Sequence, residues 1–292
     1  MLKLKPFRPF VYGGTKDKSA FIAPPYDIIN SSLQKELYLK NPYNVIRLIL
    51  GRKYAGDFAL RNGYTRAADF FKKWIAQKII TDAPGGVFIL KQNFMLEGKK
   101  YRRMGVVARL DWSGTSGESI IPHEKTYRKH RVDRSRLLQK LPLNFSPVFL
   151  ITEGVSGRIK KAAASALKEA VYSAPGEKGV LYRVPDILVP GLLSFLGGKK
   201  FVIADGHHRL RVSKENFTGD PSAGFLMVYI CDFSDEGCVI LSHADRKTPL
   251  DKNVIREVLK TGKLMKQKST FFWPKLPSGL LMHPIKEMSD DK

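Results

Sequence analysis

Apolar and polar positions follow two different periods along this chain, and the changes of period mark its elements. Ala67, Phe70, Phe71, Trp74 and Ile75 recur at i, i+3, i+4, i+7 and i+8 and predict the clearest helix, with the aromatic stripe facing the core. Residues 87–96 and 102–110 flank Glu97-Gly98-Lys99-Lys100 and predict a β-hairpin. Short apolar runs at 45–50, 147–152, 180–184, 201–204 and 224–231 read as strands. Ser31 and Ser32 are placed to cap a short helix through Leu39, Asp133 a helix through Leu141, and Asp251 one through Lys260. Residues 157–172 read as a basic helix and 210–216 as an amphipathic one. Pro24 and Pro25 remove donors and fix φ, which makes 22–27 a loop. The aromatic and proline-rich stretch 268–279 reads as an ordered coil pinned to the body.

The order of elements predicts an α+β fold, with mixed sheets and flanking helices. We expect one catalytic unit over 1–292, shaped as two lobes around a cleft. The polar run Ser113-Gly114-Thr115-Ser116-Gly117 would put the lobe boundary near 112–120.

Composition narrows the class. The 292 residues are 43% hydrophobic, enough for a sizeable core. No apolar run approaches the ~20 residues of a membrane span. Met1 to Pro6 lacks the apolar region of a signal peptide, so a cytoplasmic protein away from membranes is expected. Cys231 and Cys238 have no further cysteine partners, make no zinc pattern and read as reduced. Fifty Lys and Arg against 27 Asp and Glu give +23, which argues for polyanionic partners: nucleotides, nucleic acid or an acidic surface. Basic residues are densest at 99–103 and 125–136.

The chemistry concentrates at Ala204-Asp205-Gly206-His207-His208-Arg209, between an apolar run and an amphipathic segment. A strand that turns at a glycine and opens a helix is an anion site, because helix-start N–H groups and the dipole favour negative charge. Asp205 is a metal-capable carboxylate; His207, His208 and Arg209 add donors. The mixture suits a polyphosphate better than it suits packing.

Blocks of this kind run from end to end: Lys5-Pro6-Phe7-Arg8, Ala23-Pro24-Pro25-Tyr26-Asp27, Asn41-Pro42-Tyr43-Asn44-Val45-Ile46-Arg47-Leu48, His123-Glu124, Asp133-Arg134, Asn144-Phe145-Ser146-Pro147, 204–209 and 268–279. In this ordered set the chain resembles domain-of-unknown-function family 1015, which is similar to the free serine kinases (SerK-like, in the ParB/sulfiredoxin-like superfamily). It departs from the family in carrying Leu210-Arg211-Val212 where Tyr-Glu-Thr is usual, and in a shorter stretch before the closing aromatic block.

The resemblance implies a ParB/sulfiredoxin-like core. It also implies a kinase that moves a phosphoryl group from ATP or ADP to free L-serine, with Mg²⁺, giving O-phospho-L-serine. Phosphoryl transfer needs positioning, charge neutralisation and a proton acceptor. Gly206, His207, His208 and Arg209 would cradle the phosphates, and Asp205 would hold Mg²⁺. Asp27, on a rigid Pro-Pro-Tyr platform, is a candidate base; its bland alternative is a helix cap. Glu124 and His123 compete for the acid/base or metal role, with His123 also a candidate for binding substrate; the pair is otherwise a surface ion pair. Arg47, Lys125 and Arg134 are candidates for binding substrate carboxylate or phosphate. Asn144 and Ser146 either bind substrate or shape a turn, and Phe271, Phe272 and Trp273 either wall a base pocket or pack in the core. Two rival classes stand beside the kinase: a ParB-like, nucleotide-dependent nucleic-acid switch, although no helix-turn-helix signature is visible, and a non-catalytic nucleotide sensor.

Overall fold

Two strands buried along their whole length, Val148–Thr152 and Phe225–Asp232, form the middle of the molecule. The computed structural model describes residues 1–122, 128–242, 251–261, 270–273 and 276–286. In chain order the elements begin with β1 (Leu4–Lys5), β2 (Phe10–Tyr12), α1 (Ser31–Lys40), α2 (Ile46–Ile49), α3 (Gly63–Ala76), β3 (Ile80–Asp82), β4 (Phe88–Leu96) and β5 (Lys99–Asp111). There follow β6 (Ile120–Ile121), α4 (Arg128–Lys140), β7 (Leu143–Asn144), β8 (Val148–Thr152), α5 (Ser156–Ala164), β9 (Leu167–Ala174), β10 (Glu177–Arg183), α6 (Val189–Gly197) and β11 (Phe201–Asp205). The chain closes with α7 (His207–Gly219), β12 (Phe225–Asp232), β13 (Val239–Ser242), α8 (Asn253–Thr261), β14 (Thr270–Trp273) and β15 (His283–Pro284).

Among the described residues nine strands make one mixed sheet in the order β6-β11-β8-β12-β5-β4-β10-β9, with β1 beside β5. β11 runs antiparallel to β8 and parallel to β6, while β12 runs parallel to β8. Continuous apolar runs in β8 and β12 follow from burial on both faces. One face packs Val148, Leu150, Val228 and Ile230 against Ile159 of α5 and Leu192 and Leu196 of α6. The other packs Phe149, Ile151, Tyr229 and Cys231 against Ile255 and Val258 of α8 and against Leu276 and Leu280. A third cluster gathers α1 to α4 around Ile46, Leu48, Trp74 and Leu137. The fold is thus α+β with a mixed sheet flanked by helices. β5 before 112–120 and β6 after it belong to the same sheet.

α3 and the β4–β5 hairpin lie where the periodicity put them, and Glu97 and Gly98 make the turn with φ of 47° and 74°. Five expectations need correction. Residues 45–50 are not a strand: Ile46–Ile49 is a single helical turn, opened by the Asn44 side chain accepting from Ile46 N at 3.0 Å. A short run buried all round has no periodicity to tell the two apart. The cap of α1 is Asn30, which accepts from Leu33 N at 2.9 Å, so Ser31 and Ser32 are its first helical residues. Asp133 lies inside α4 instead of capping it. The basic helix stops at Ala164, and β9 and β10 then form a hairpin whose turn holds Gly176 at φ 72°. Part of the C-terminal coil is a strand, because Thr270–Trp273 pairs with β13. Cys231 and Cys238 are free and buried.

The C-terminal segment closes the molecule with β15, where His283 pairs with Asn144 of β7. The His283 ring lies between Phe225, at 6.0 Å and 12°, and Phe7, at 4.7 Å. Neither ring nitrogen has a hydrogen-bond partner among the described residues, and burial, assisted by the Arg109 charge, pushes its pKa down to about 3. The folded value lies below the unfolded one of about 6.5. The unfolded chain therefore takes the proton first, and stability is lost as pH falls from 6.5 towards 3. The loss from this one group is about 2 kcal/mol at pH 5. His283→Phe should flatten the denaturant-measured stability between pH 8 and 5 by that amount; parallel curves for variant and parent would show that His283 is not the cause.

Candidate functional site

Antiparallel pairing of β11 with β8 sets Asp205 opposite Phe149, and so brings the end of β11 beside the residues that lead into β8. At that edge Gly206 adopts φ 95°, a left-handed conformation that side chains resist, and the chain turns into α7. Leu210 N donates to Gly206 O at 2.9 Å, which starts the helix ladder. A Cβ on Gly206 would stand 2.9 Å from the Arg209 guanidinium, so the absent side chain is also the space Arg209 uses. Arg209 folds back over the turn. Its Nη2 donates to Asp205 Oδ2 at 2.5 Å and its Nη1 to Pro147 O at 2.9 Å and to Ser146 Oγ. Both members of the Asp205–Arg209 pair are 16% exposed.

A second guanidinium faces the same corner. Arg134 stacks on Tyr26 at 3.8 Å from the ring centre, and donates through Nε to Asp133 at 2.9 Å and through Nη2 to Ile49 O at 3.1 Å. Asp133 Oδ1 accepts from the Tyr64 hydroxyl at 2.7 Å. Burial opposes the Asp133 charge, but Arg134 and then Tyr64 outweigh it and hold the carboxyl below the usual range. Burial raises Tyr26, while Arg134 and Arg209 together pull the other way, so both cations act on one phenol.

The C-terminal segment completes the wall. Ser278 pairs with Ala23 through backbone bonds in both directions, and Gly279 N donates to Phe145 O at 2.8 Å. Tyr26, Arg134, Asn144, Ser146, Arg209 and Ser278 therefore line one cavity of about 50 Å³. Beyond Arg134 lies a second cavity of about 270 Å³, which shares Ile49, Arg134 and Leu137 with the first. Five of the sequence blocks, far apart along the chain, meet in this corner.

The expected site residues divide. Asp205, Gly206, Arg209, Arg134, Asn144 and Ser146 come together. Asn144 acts there as a strut, its amide donating to Phe225 O and His283 O at 3.3 Å each. His207 is buried and His208 half-buried at the start of α7. Asp27 is exposed on the short turn Tyr26–Ile28; since Asn30 caps α1, Asp27 is not that cap. Arg47 is elsewhere: its guanidinium donates to Asn41 O and Tyr38 O at 2.8 Å each and covers the Tyr38 ring, which closes the end of α1. His123, Glu124 and Lys125 lie outside the described residues, as do the side chains of Phe271, Phe272 and Trp273. Sequence reasoning missed Tyr26 and Tyr64. The Tyr26 signal was its place beside Asp27 on the proline platform; Tyr64 gave none.

Among the described residues no three His, Cys, Asp or Glu side chains gather as a metal cage. Asp205 is the carboxylate at the glycine turn, beside Arg209. A cation that keeps its waters and takes phosphate oxygens needs only one or two carboxylates, so this donor set fits Mg²⁺ carried by a nucleotide and no all-protein cage.

Gly206→Ala should cost about 1–3 kcal/mol, because it forces a Cβ both into the left-handed region and against Arg209; a thermal melt unchanged within error would contradict this. Arg47→Ala should cost about 2 kcal/mol through its lost carbonyl bonds, with no change in nucleotide affinity by calorimetry. A selective loss of nucleotide affinity would return Arg47 to the site.

A protein family described as being of unknown function, DUF1015, matches residues 4–244. No curated protein and no solved structure matches the chain. The matched stretch takes in β1 to β13 and with them the glycine turn, both arginines and the Tyr26 platform, and the chain belongs to the DUF1015 family.

Proposed function

We propose that this chain is a small-molecule kinase, built on a ParB/sulfiredoxin-like core, that phosphorylates the hydroxyl of free L-serine. The observation that supports the reading most is the convergence of Arg134 and Arg209 on a cavity at the start of a 13-residue helix. Each guanidinium is already oriented by a carboxylate and a backbone carbonyl, so little reorganisation is needed when an anion arrives. The first turn of α7 adds N–H groups and the positive end of its dipole.

In this reading the nucleotide phosphates lie against Gly206, His208 and Arg209. Asp205 would hold the Mg²⁺, which when bound neutralises charge on the transferred phosphoryl group. Arg134 faces the acceptor side. The serine Oγ forms a bond to the terminal phosphorus, the phosphoanhydride bond breaks, and the nucleotide leaves one phosphate shorter. The hydroxyl proton passes to a carboxylate, Asp27 or Glu124. The small cavities provide room for a metabolite, and the nucleotide base would extend outside them.

The test is direct. Purified protein with Mg²⁺, L-serine and either ATP or ADP should yield phosphoserine by mass spectrometry. Asp205→Asn and His208→Ala should lower turnover at least about a hundredfold with the circular dichroism spectrum unchanged. Asp27→Asn should slow turnover while nucleotide still binds; if Glu124→Gln does so instead, the base is Glu124. Nucleotide binding without turnover would replace the kinase with a sensor. No turnover with steeply salt-dependent DNA binding would favour a nucleic-acid switch.

A further inference from the structure

The cavity of about 270 Å³ beyond Arg134 has features that the phosphate corner does not use. Its size is just under that of ligand pockets, which run from roughly 300 to 1,000 Å³, so it suits a metabolite of few heavy atoms. Ile49, Leu50 and Leu137 supply apolar walls, and Lys53, Tyr64, Asp133 and Arg134 are part of the polar lining; a second carboxylate there, Asp57, is bound by Arg66 through both oxygens.

These polar groups are of opposite sign and differently committed. Asp133 is held ionised by Arg134 and Tyr64, with its side chain 36% exposed. Tyr64 occupies one position of Oδ1, and Arg134 occupies both positions of Oδ2 through Nε and Nη2. An ionised carboxylate accepts about four hydrogen bonds, so one acceptor position, on Oδ1, remains for a cationic donor. Lys53 is exposed, lines the same cavity, and adds a positive charge that acts on Asp133 without forming a close ion pair among the described residues. Arg134 Nη1 makes no hydrogen bond among the described residues. A purely structural ion pair would need neither the cavity nor the second, uncommitted cation.

We infer that this cavity binds a small zwitterion, with its ammonium on Asp133 and its carboxylate on Lys53 and the open edge of Arg134. The inference deepens the kinase reading and rests on it for one point only, that the bound zwitterion is the phosphoryl acceptor. Arg134 then forms the wall between acceptor and donor. Tyr64 is a positioning residue, since it orients Asp133 and need not touch the ligand.

Calorimetry on the whole chain with L-serine, ethanolamine and 3-hydroxypropionate separates the two charges. L-serine should bind; ethanolamine, which lacks the carboxylate, and 3-hydroxypropionate, which lacks the ammonium, should each bind at least tenfold more weakly. Asp133→Asn should weaken L-serine at least tenfold and leave 3-hydroxypropionate unchanged. Because Asp133 also joins α3 to α4, the exposed Lys53→Ala is the second variant: it should weaken L-serine severalfold and spare ethanolamine. Equal affinity for all three probes, no L-serine binding with or without nucleotide, or Lys53→Ala at parental affinity would overturn the inference. Phosphoserine formation with the serine KM unchanged in both variants would overturn it and leave the kinase reading intact. Binding with the expected selectivity but no phosphoserine would uphold it and remove the kinase.

Discussion

Arg209 lying back across Gly206 is the contact on which the corner depends. It can do so because Gly206 has no Cβ and because its left-handed φ turns the chain back towards β8. Once there, the guanidinium ties the end of β11, through Asp205, to the approach of β8, through Ser146 and Pro147. Three parts of the chain are fixed by one side chain. A lysine could not replace it, since a single ammonium lacks the planar fork that meets a carboxylate, a hydroxyl and a carbonyl at once.

Partly buried charges are costly unless they are paired, and the fold pairs both arginines before any ligand arrives. Asp205 partners Arg209, and Asp133 partners Arg134. The pairing has a second effect. It lowers the positive potential of the corner while keeping both guanidinium planes in place. In the proposed kinase an incoming polyanion would meet prearranged donors, and the carboxylate that partners Arg209 would also be the one to take a phosphate-bound cation. Pairing therefore stabilises the fold and, on the kinase reading, would set the geometry for binding.

The parts legible in the sequence were those with a local signature. A glycine between an apolar run and an amphipathic one marked the β11–α7 turn, and helical spacing marked α3. The misses share a different cause. α2 is buried on every side, so its apolar run carries no period. Asp133 and Arg47 are chemically plausible as a cap and a substrate ligand, but what each does is decided by distant partners. Tyr64 reaches Asp133 from 69 positions away, and the carbonyls of α1 claim Arg47. The register of β11 on β8, which brings Ser146 to Arg209, is likewise a property of the sheet. Convergence of the blocks was visible only as their order, and their meeting point had to come from the fold.

Charge makes the same point in another way. The excess of +23 invites the picture of a basic outer surface made for nucleic acid. Yet each of the two densest basic stretches sends an arginine inward. Arg103, from 99–103, is 1% exposed, bonds Gln92 Oε1 and lies 4.6 Å from the Phe149 ring centre. Arg134, from 125–136, is 8% exposed and serves the cavities. Counting charges along the chain treats these like surface lysines, although a held guanidinium in a part-buried setting interacts with an anion far more strongly than a solvated one. On the kinase reading, the functional weight of this chain's charge would therefore lie in the few guanidinium groups whose direction is already set.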